Sequence, residues 1–211
     1  MATFSLVHGA WHGGWAWDDV RAELKARGHV VHAPDLPCED VDAGVEEYAR
    51  LVPPADVVVG HSLGGLTIPL VPAARLVFLT AYMPQPGKAL TDRDDEAWGP
   101  RFADAAVRDE LGRSYWPDGD TAFARLYPDC TRAQSDAAFV RLRPQAPIEP
   151  IVRPGSEGDV VVATLRDACI APEWQLRAGA AHAARVLTLD AGHSPFFTHP
   201  SELADLLESL L

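Results

Sequence analysis

Ala55-Asp56-Val57-Val58-Val59-Gly60-His61-Ser62-Leu63-Gly64-Gly65 decides how this chain is read. The run Val57-Val58-Val59 has the β-branched composition of a buried strand. It leads straight into a Gly-x-Ser-x-Gly pattern, after which Leu63-Gly64-Gly65-Leu66-Thr67-Ile68 reads as the start of a helix. A serine on so sharp a strand-to-helix turn carries its hydroxyl out past the sheet edge, where a base can reach it. Glycines stand on either side because bulky side chains would collide in the turn. The alternative is a serine in an ordinary turn, and the flanking strand and helix weigh against it.

A serine nucleophile requires a base, and an acid to orient that base. Where such an elbow is used, the chain order is Ser, then Asp or Glu, then His. The apolar run Ala184-Arg185-Val186-Leu187-Thr188-Leu189 reads as a strand and leads into Asp190-Ala191-Gly192-His193-Ser194-Pro195. His193, in a loop bounded by Gly and Pro, is the candidate base. Val160-Val161-Val162-Ala163-Thr164-Leu165 is an earlier strand, followed by Arg166-Asp167. Asp167 is the preferred acid because it lies just past a strand's carboxyl end. Asp190 competes, but it sits so near His193 in sequence that it reads as a brace for its own loop. Asp159 opens its strand and falls at the wrong end of the sheet.

Acyl transfer builds negative charge on an oxygen, and fixed N–H donors must meet it. One candidate is the amide of Leu63, next after the serine. The other is the amide of Ala10, in the loop His8-Gly9-Ala10-Trp11-His12-Gly13-Gly14 that follows the strand Thr3-Phe4-Ser5-Leu6-Val7. His8 and His12 have the i, i+4 spacing of a metal pair, but a Gly-rich loop offers no continuous helix and no third ligand is patterned. They read as structural histidines, and neither a metal nor an organic cofactor is expected.

Strands and helices alternate, as a mostly parallel α/β sheet requires, with about six main strands. Asp18 to Arg27 reads as a helix with Val20 and Leu24 inward, His29 to Ala33 as a strand, and Val45 to Leu51 as a helix. Arg75 to Thr80 is a further strand, and Ser201 to Leu210 a closing helix that buries Leu203, Leu206, Leu207 and Leu210. Pro69 and Pro72 predict a short or bent helix after the elbow. Residues 84–150 break this rhythm and read as a small helical cap or lid inserted into a single domain spanning 1–211. Within it, Asp92 to Glu96 reads as a solvated loop, with helices near Arg101 to Leu111, Thr121 to Leu126 and Thr131 to Leu142. Trp98, Tyr115, Trp116, Phe123, Leu126 and Tyr127 either line an apolar pocket or pack the cap onto the body.

A formal net charge of −12 over 211 residues argues against nucleic acid and anionic membranes as partners. No targeting segment or membrane span is expected. Cys38, Cys130 and Cys169 are widely spaced and odd in number, which suits a reducing cytoplasm and no disulfide framework.

Five stretches carry a resemblance to known proteins: Leu6-Val7-His8-Gly9-Ala10-Trp11-His12-Gly13-Gly14-Trp15, Gly28-His29-Val30-Val31-His32-Ala33-Pro34-Asp35-Leu36, the elbow, Val77-Phe78-Leu79-Thr80-Ala81-Tyr82-Met83-Pro84 and Gly192-His193. With them the chain resembles the α/β-hydrolases, and more closely the plant methylesterase and hydroxynitrile lyase group with its bacterial esterase relatives. The resemblance implies a triad of Ser62, Asp167 and His193 and oxyanion donors at Ala10 and Leu63. In the lyases a threonine follows the loop's first histidine and a lysine follows the catalytic histidine. Those positions are Gly9 and Ser194 here, and the only lysines, Lys25 and Lys88, lie away from every motif. The resemblance therefore implies an esterase. Gly9, Trp11, Tyr82, Trp116, Leu126 and Ser194 are the candidates for contact with substrate. The expected activity is hydrolysis of a small or medium ester through an acyl-enzyme. The alternatives are a lyase, thioesterase, acyltransferase or cyclase on the same triad, or a ligand-binding protein on a hydrolase body. The expected partner is a small-molecule ester, and a homodimer is left open.

Overall fold

The structure is a computed structural model that describes residues 1–83, 105–149, 151, 158–182 and 184–211. The chain begins with β1 (Thr3–Val7), α1 (Asp18–Ala26), β2 (Val30–His32), α2 (Val45–Leu51), β3 (Ala55–His61) and β4 (Ala73–Leu79). A short hairpin of β5 (Val107–Arg108) and β6 (Ser114–Tyr115) follows, then α3 (Gly119–Leu126) and α4 (Arg132–Phe139). The chain closes with β7 (Val160–Thr164), α5 (Pro172–Ala181), β8 (Arg185–Leu189), α6 (Pro195–Thr198) and α7 (Pro200–Glu208).

Six strands form one parallel sheet in the order β2-β1-β3-β4-β7-β8. Its central strands β1, β3 and β7 are largely buried on both faces, so they read as continuous apolar runs and not as alternations. The pleat sorts each run. Val57 and Val59 face one core with Val77, Leu79, Val160 and Val162, while Val58 faces the other with Phe78 and Val161. Leu203 and Leu207 of α7 and Val20 and Leu24 of α1 cover the first face and are fully buried. Each such leucine contributes about 2 kcal/mol relative to exposure. Arg27, just past α1, ties this pair together through Asp205 at 2.5 Å and Glu208 at 3.3 Å. Tyr48 of α2 and Trp174 and Ala178 of α5 cover the second face.

Register brings every chemically loaded loop to one edge. Val7 pairs with Gly60, His61 with Leu79, Leu79 with Val162 and Thr164 with Leu189. The segments after β1, β3, β4, β7 and β8 therefore all leave from the carboxyl edge of the sheet, where ligands bind in open α/β folds.

Two local expectations are corrected. The helix expected after the elbow to be short or bent is short, but it is not an α-helix: two 3-10 turns, Ser62–Leu66 and Ile68–Leu70, stand in its place. Pro69 and Pro72 deny the segment the amides an α-helix needs. Within the stretch Arg101 to Leu111, the described part is strand and turn. The Asp109 carboxylate accepts from the amides of Leu111 at 3.0 Å and Arg113 at 2.9 Å, a side-chain-built turn that closes the β5–β6 hairpin. Helices α3 and α4 do form, with Asp118 and Thr131 as caps. Trp98 and the run Asp92 to Glu96 lie outside the described residues.

Candidate active site

Ser62 follows β3 directly and opens the first 3-10 turn with φ of 50°, in the left-handed region where a non-glycine residue is strained. The turn is tight enough to exclude side chains beside it. A Cβ on Gly60 would meet the Gly64 carbonyl oxygen and Ile68 Cγ2, both at 2.8 Å. Gly60→Ala is therefore expected to lower stability by about 1–3 kcal/mol through overpacking. Urea midpoints of the two proteins measure this, and an unchanged midpoint would contradict it.

His193 reaches Ser62 from the loop after β8. Its Nε2 lies 3.2 Å from Ser62 Oγ, and its Nδ1 donates to Asp167 Oδ2 at 2.9 Å. All three residues are buried. The Asp167 carboxylate is fully enclosed and well supplied with donors. Oδ1 accepts from the amides of Cys169 at 2.6 Å and Ile170 at 2.9 Å. Oδ2 accepts from Thr80 Oγ1 and from Gln175 Nε2 at 2.9 Å. Burial pushes the Asp167 carboxyl up, but His193 and these donors outweigh it and hold it below its usual value. The rival carboxylates are committed elsewhere. Asp190 is exposed and pairs with Arg166 at 2.9 Å, and Asp159 pairs with His182 at 3.4 Å.

The loop after β1 lies alongside the serine. A Cβ on Gly9 would fall 2.8 Å from Ser62 Cβ and 2.8 Å from His61 Nδ1, so a side chain there is excluded. Ala10 follows directly. Leu63 is the second residue of its 3-10 turn, where helical N–H groups lack intrahelical acceptors. The histidines of the loop are structural. His8 Nδ1 donates to Gly9 O at 2.9 Å and its Nε2 accepts from the Leu36 amide at 3.0 Å. His12 Nδ1 donates to Ala10 O at 2.8 Å, and its Nε2 accepts from the Tyr127 hydroxyl at 2.8 Å. Burial lowers His8 to about 4 and His12 to about 3. From their ordinary value of 6.5 down to those values, the unfolded chain binds more protons than the folded one. Stability therefore falls as pH drops from about 6.5, and Asp167 adds its loss lower still. Urea midpoints taken in steps from about pH 7 to about pH 4 should decline throughout. A flat profile would contradict the two neutral histidines.

Several residues that hold the site carry little sequence signal. His61 Nε2 donates to the His193 carbonyl at 2.9 Å. Asp129, between α3 and α4, accepts from the Gly192 amide at 2.7 Å and so holds the His193 loop. Arg143 donates to His12 O at 2.8 Å and Leu36 O at 3.3 Å, fixing the β1 loop from outside. Gln175 sits on α5, a helix with no separate mark in the sequence beyond the need to cross from β7 to β8.

The proposed substrate contacts are distributed unevenly. Gly9 and Tyr82 touch the serine's surroundings, since the Tyr82 amide donates to Ser62 O at 3.0 Å. Trp11 stacks edge-on against Trp116 at 5.2 Å, and its indole donates to Ser114 O at 3.0 Å. Leu126 and Ser194 are fully enclosed. Tyr127 is also buried, whereas Tyr115 is part-exposed on its hairpin. Among the described residues, Asp167, Cys169 and His193 are the one group with metal-donor spacing, their atoms within 4.8 Å of one another. The donors are already used: Cys169 Sγ donates to Arg125 O at 3.2 Å, and the other two bond each other. No described helix is long and apolar enough to cross a membrane.

A parallel α/β sheet with serine, imidazole and buried carboxylate hydrogen-bonded in line at its carboxyl edge defines the α/β-hydrolase class. The chain belongs to the alpha/beta hydrolase family, whose pattern matches residues 6–206. It is similar to methylesterase 3 of Arabidopsis thaliana, 34% identical over 147 residues, covering 59% of this chain and 51% of that protein. It is also similar to the carbendazim hydrolyzing esterase of a Nocardioides species, 35% identical over 111 residues, covering 43% and 46%. In these matches the chain spans about half the length of its curated relatives. Polyneuridine aldehyde esterase shares the fold, with a TM-score of 0.78 at 20% identity over 99% of this chain and 98% of that one.

Proposed function

We propose that the chain is a serine carboxylesterase acting on a small or medium ester. The observation that carries this reading is the unbroken line from Ser62 Oγ to His193 Nε2 at 3.2 Å and from His193 Nδ1 to Asp167 Oδ2 at 2.9 Å. Ser62 attacks the ester carbonyl as His193 takes its proton, and Asp167 holds the imidazole tautomer and stabilises the imidazolium. The amides of Ala10 and Leu63 receive the oxyanion. His193 then protonates the leaving alcohol, and water activated by the same imidazole releases the acid. The relatives named as esterases favour ester cleavage over the lyase alternative. Ser194, where the lyases carry a lysine, favours it too, since a departing cyanide would lack a counter-ion there.

We read residues 84–150 as a cap whose described part, with Trp116 and Leu126, closes over the β1 loop. The site's partner is a small molecule, and the three free, buried cysteines suit a reducing compartment. Initial rates on p-nitrophenyl esters from acetate to long chains test the proposal. Turnover of the short members with release of the free acid is expected. A folded protein that turns over none of them would overturn it.

A further inference from the structure

Thr80 directly follows β4 in a conformation that requires a cause. Its φ is 38°, in the left-handed region that a β-branched residue enters only under strain. It is fully buried, and its amide donates to Val162 O at 2.8 Å, so pairing with β7 continues through it. Its hydroxyl donates to Asp167 Oδ2, the same oxygen that accepts from His193 Nδ1 at 2.9 Å. Gln175 reaches that oxygen from α5 at 2.9 Å, and its own Oε1 is anchored by the Thr164 amide at 3.0 Å. The two carboxylate oxygens thus have separate duties. Oδ1 is held by the main chain of its own loop, and Oδ2 is shared between His193 and three side chains from other elements, Thr80, Gln175 and, more distantly at 3.5 Å, the Thr164 hydroxyl. A carboxylate oxygen has a limited number of lone-pair sites. Each added donor stabilises its charge locally and leaves less of it facing the imidazole.

We propose that Thr80 is a positioning residue of this site: its hydroxyl, with the Gln175 amide, fixes the Asp167 carboxylate and limits the negative charge that Oδ2 presents to His193. The kinetic consequence rests on the serine-esterase reading, whereas the effect on His193 titration does not. The other titratable groups around the pair are His61 at the end of β3, His12 in the β1 loop and Cys169 in the Asp167 loop. Arg125 lies beyond Cys169, and Asp129 and Arg166 flank Gly192. Burial keeps His61 and His12 neutral and pushes the Cys169 thiol up, so none of these three changes charge near neutrality. Loss of the Thr80 hydroxyl exposes more carboxylate charge to His193. The imidazolium is then favoured, and His193 titrates at higher pH.

The test is the imidazole NMR titration of His193, assigned with His193→Gln, in wild type, Thr80→Val and Thr80→Ser. The Val variant removes the donor without changing shape, and the Ser variant restores it. The expected result is a midpoint raised on the order of half a pH unit in Thr80→Val and returned to the wild-type value in Thr80→Ser. If Thr80→Val does not fold, Thr80→Gly removes the same donor while relieving the positive φ, and the same rise is expected. Equal midpoints in wild type and the folded donor-less variant would overturn the proposal, as would a rise that Thr80→Ser fails to reverse. The acid limb of kcat/KM for p-nitrophenyl acetate should move with the midpoint while KM stays unchanged. Absence of wild-type turnover alongside a shifted midpoint would count against the esterase reading and leave the positioning role standing.

Discussion

Asp167→Asn is expected to lower kcat by about 10⁴-fold with the fold retained. Asparagine matches aspartate in shape, and its carbonyl oxygen keeps the amides of Cys169 and Ile170 satisfied. The loss falls on the other side. The new NH₂ group would meet His193 Nδ1–H, the Thr80 hydroxyl and the Gln175 amide, all of them donors at present. His193 relieves the conflict by moving its proton to Nε2, which then faces Ser62 as a donor and cannot accept the serine's proton. The imidazolium formed during attack also loses its buried counter-charge. Steady-state kinetics on a p-nitrophenyl ester, with a thermal melt to show folding, measure the effect. A kcat within about tenfold of wild type would mean that Asp167 does not set the tautomer.

Phe196→Ala is expected to remove about 3–5 kcal/mol of stability. For a chain of this length that is a fall in Tm on the order of 10 °C. Phe196 lies three positions after His193 and is fully buried. Its ring packs against Phe197 at 4.7 Å, His61 at 4.9 Å, Trp17 at 5.2 Å and His12 at 6.0 Å. It therefore joins the core under α1 and α7 to the histidines behind the site. The cavity left by alanine would loosen the His193 loop, so kcat should fall along with stability. Differential scanning calorimetry and kcat, measured on the same preparation, check both parts. A melt within about 2 °C of wild type would show that the ring is not the wedge described here.

The main outline of the fold was legible because strong local signals coincided with long-range ones. The Val57–Val59 run, the Gly-x-Ser-x-Gly turn and the order Ser62, Asp167, His193 all pointed to one parallel sheet with loaded carboxyl ends, and the strand bounds fell within a residue or two. Asp167 was singled out by its position as the first acid past β7 and by the family resemblance, and its carboxylate lies 2.9 Å from His193 Nδ1. Less legible were the features fixed by tertiary contact. The β5–β6 hairpin depends on Asp109 capturing two amides, which outweighed an apparent helical pattern. Helix α5 has little apolar periodicity, so Gln175 carried no mark. Asp129 and Arg143 act on loops that are distant in sequence, at separations of 63 and 131 residues, and no local pattern reports that. Thr80 stood in a recognisable motif. Its role became visible only through its positive φ and its buried partner.

The most direct test of the account is stoichiometric labelling with a p-nitrophenyl alkylphosphonate, followed by peptide mass spectrometry. The account predicts one equivalent of p-nitrophenol released, one phosphonyl adduct on Ser62, and neither burst nor adduct in Ser62→Ala. An adduct on another residue, or an unlabelled and folded wild-type protein, would contradict it.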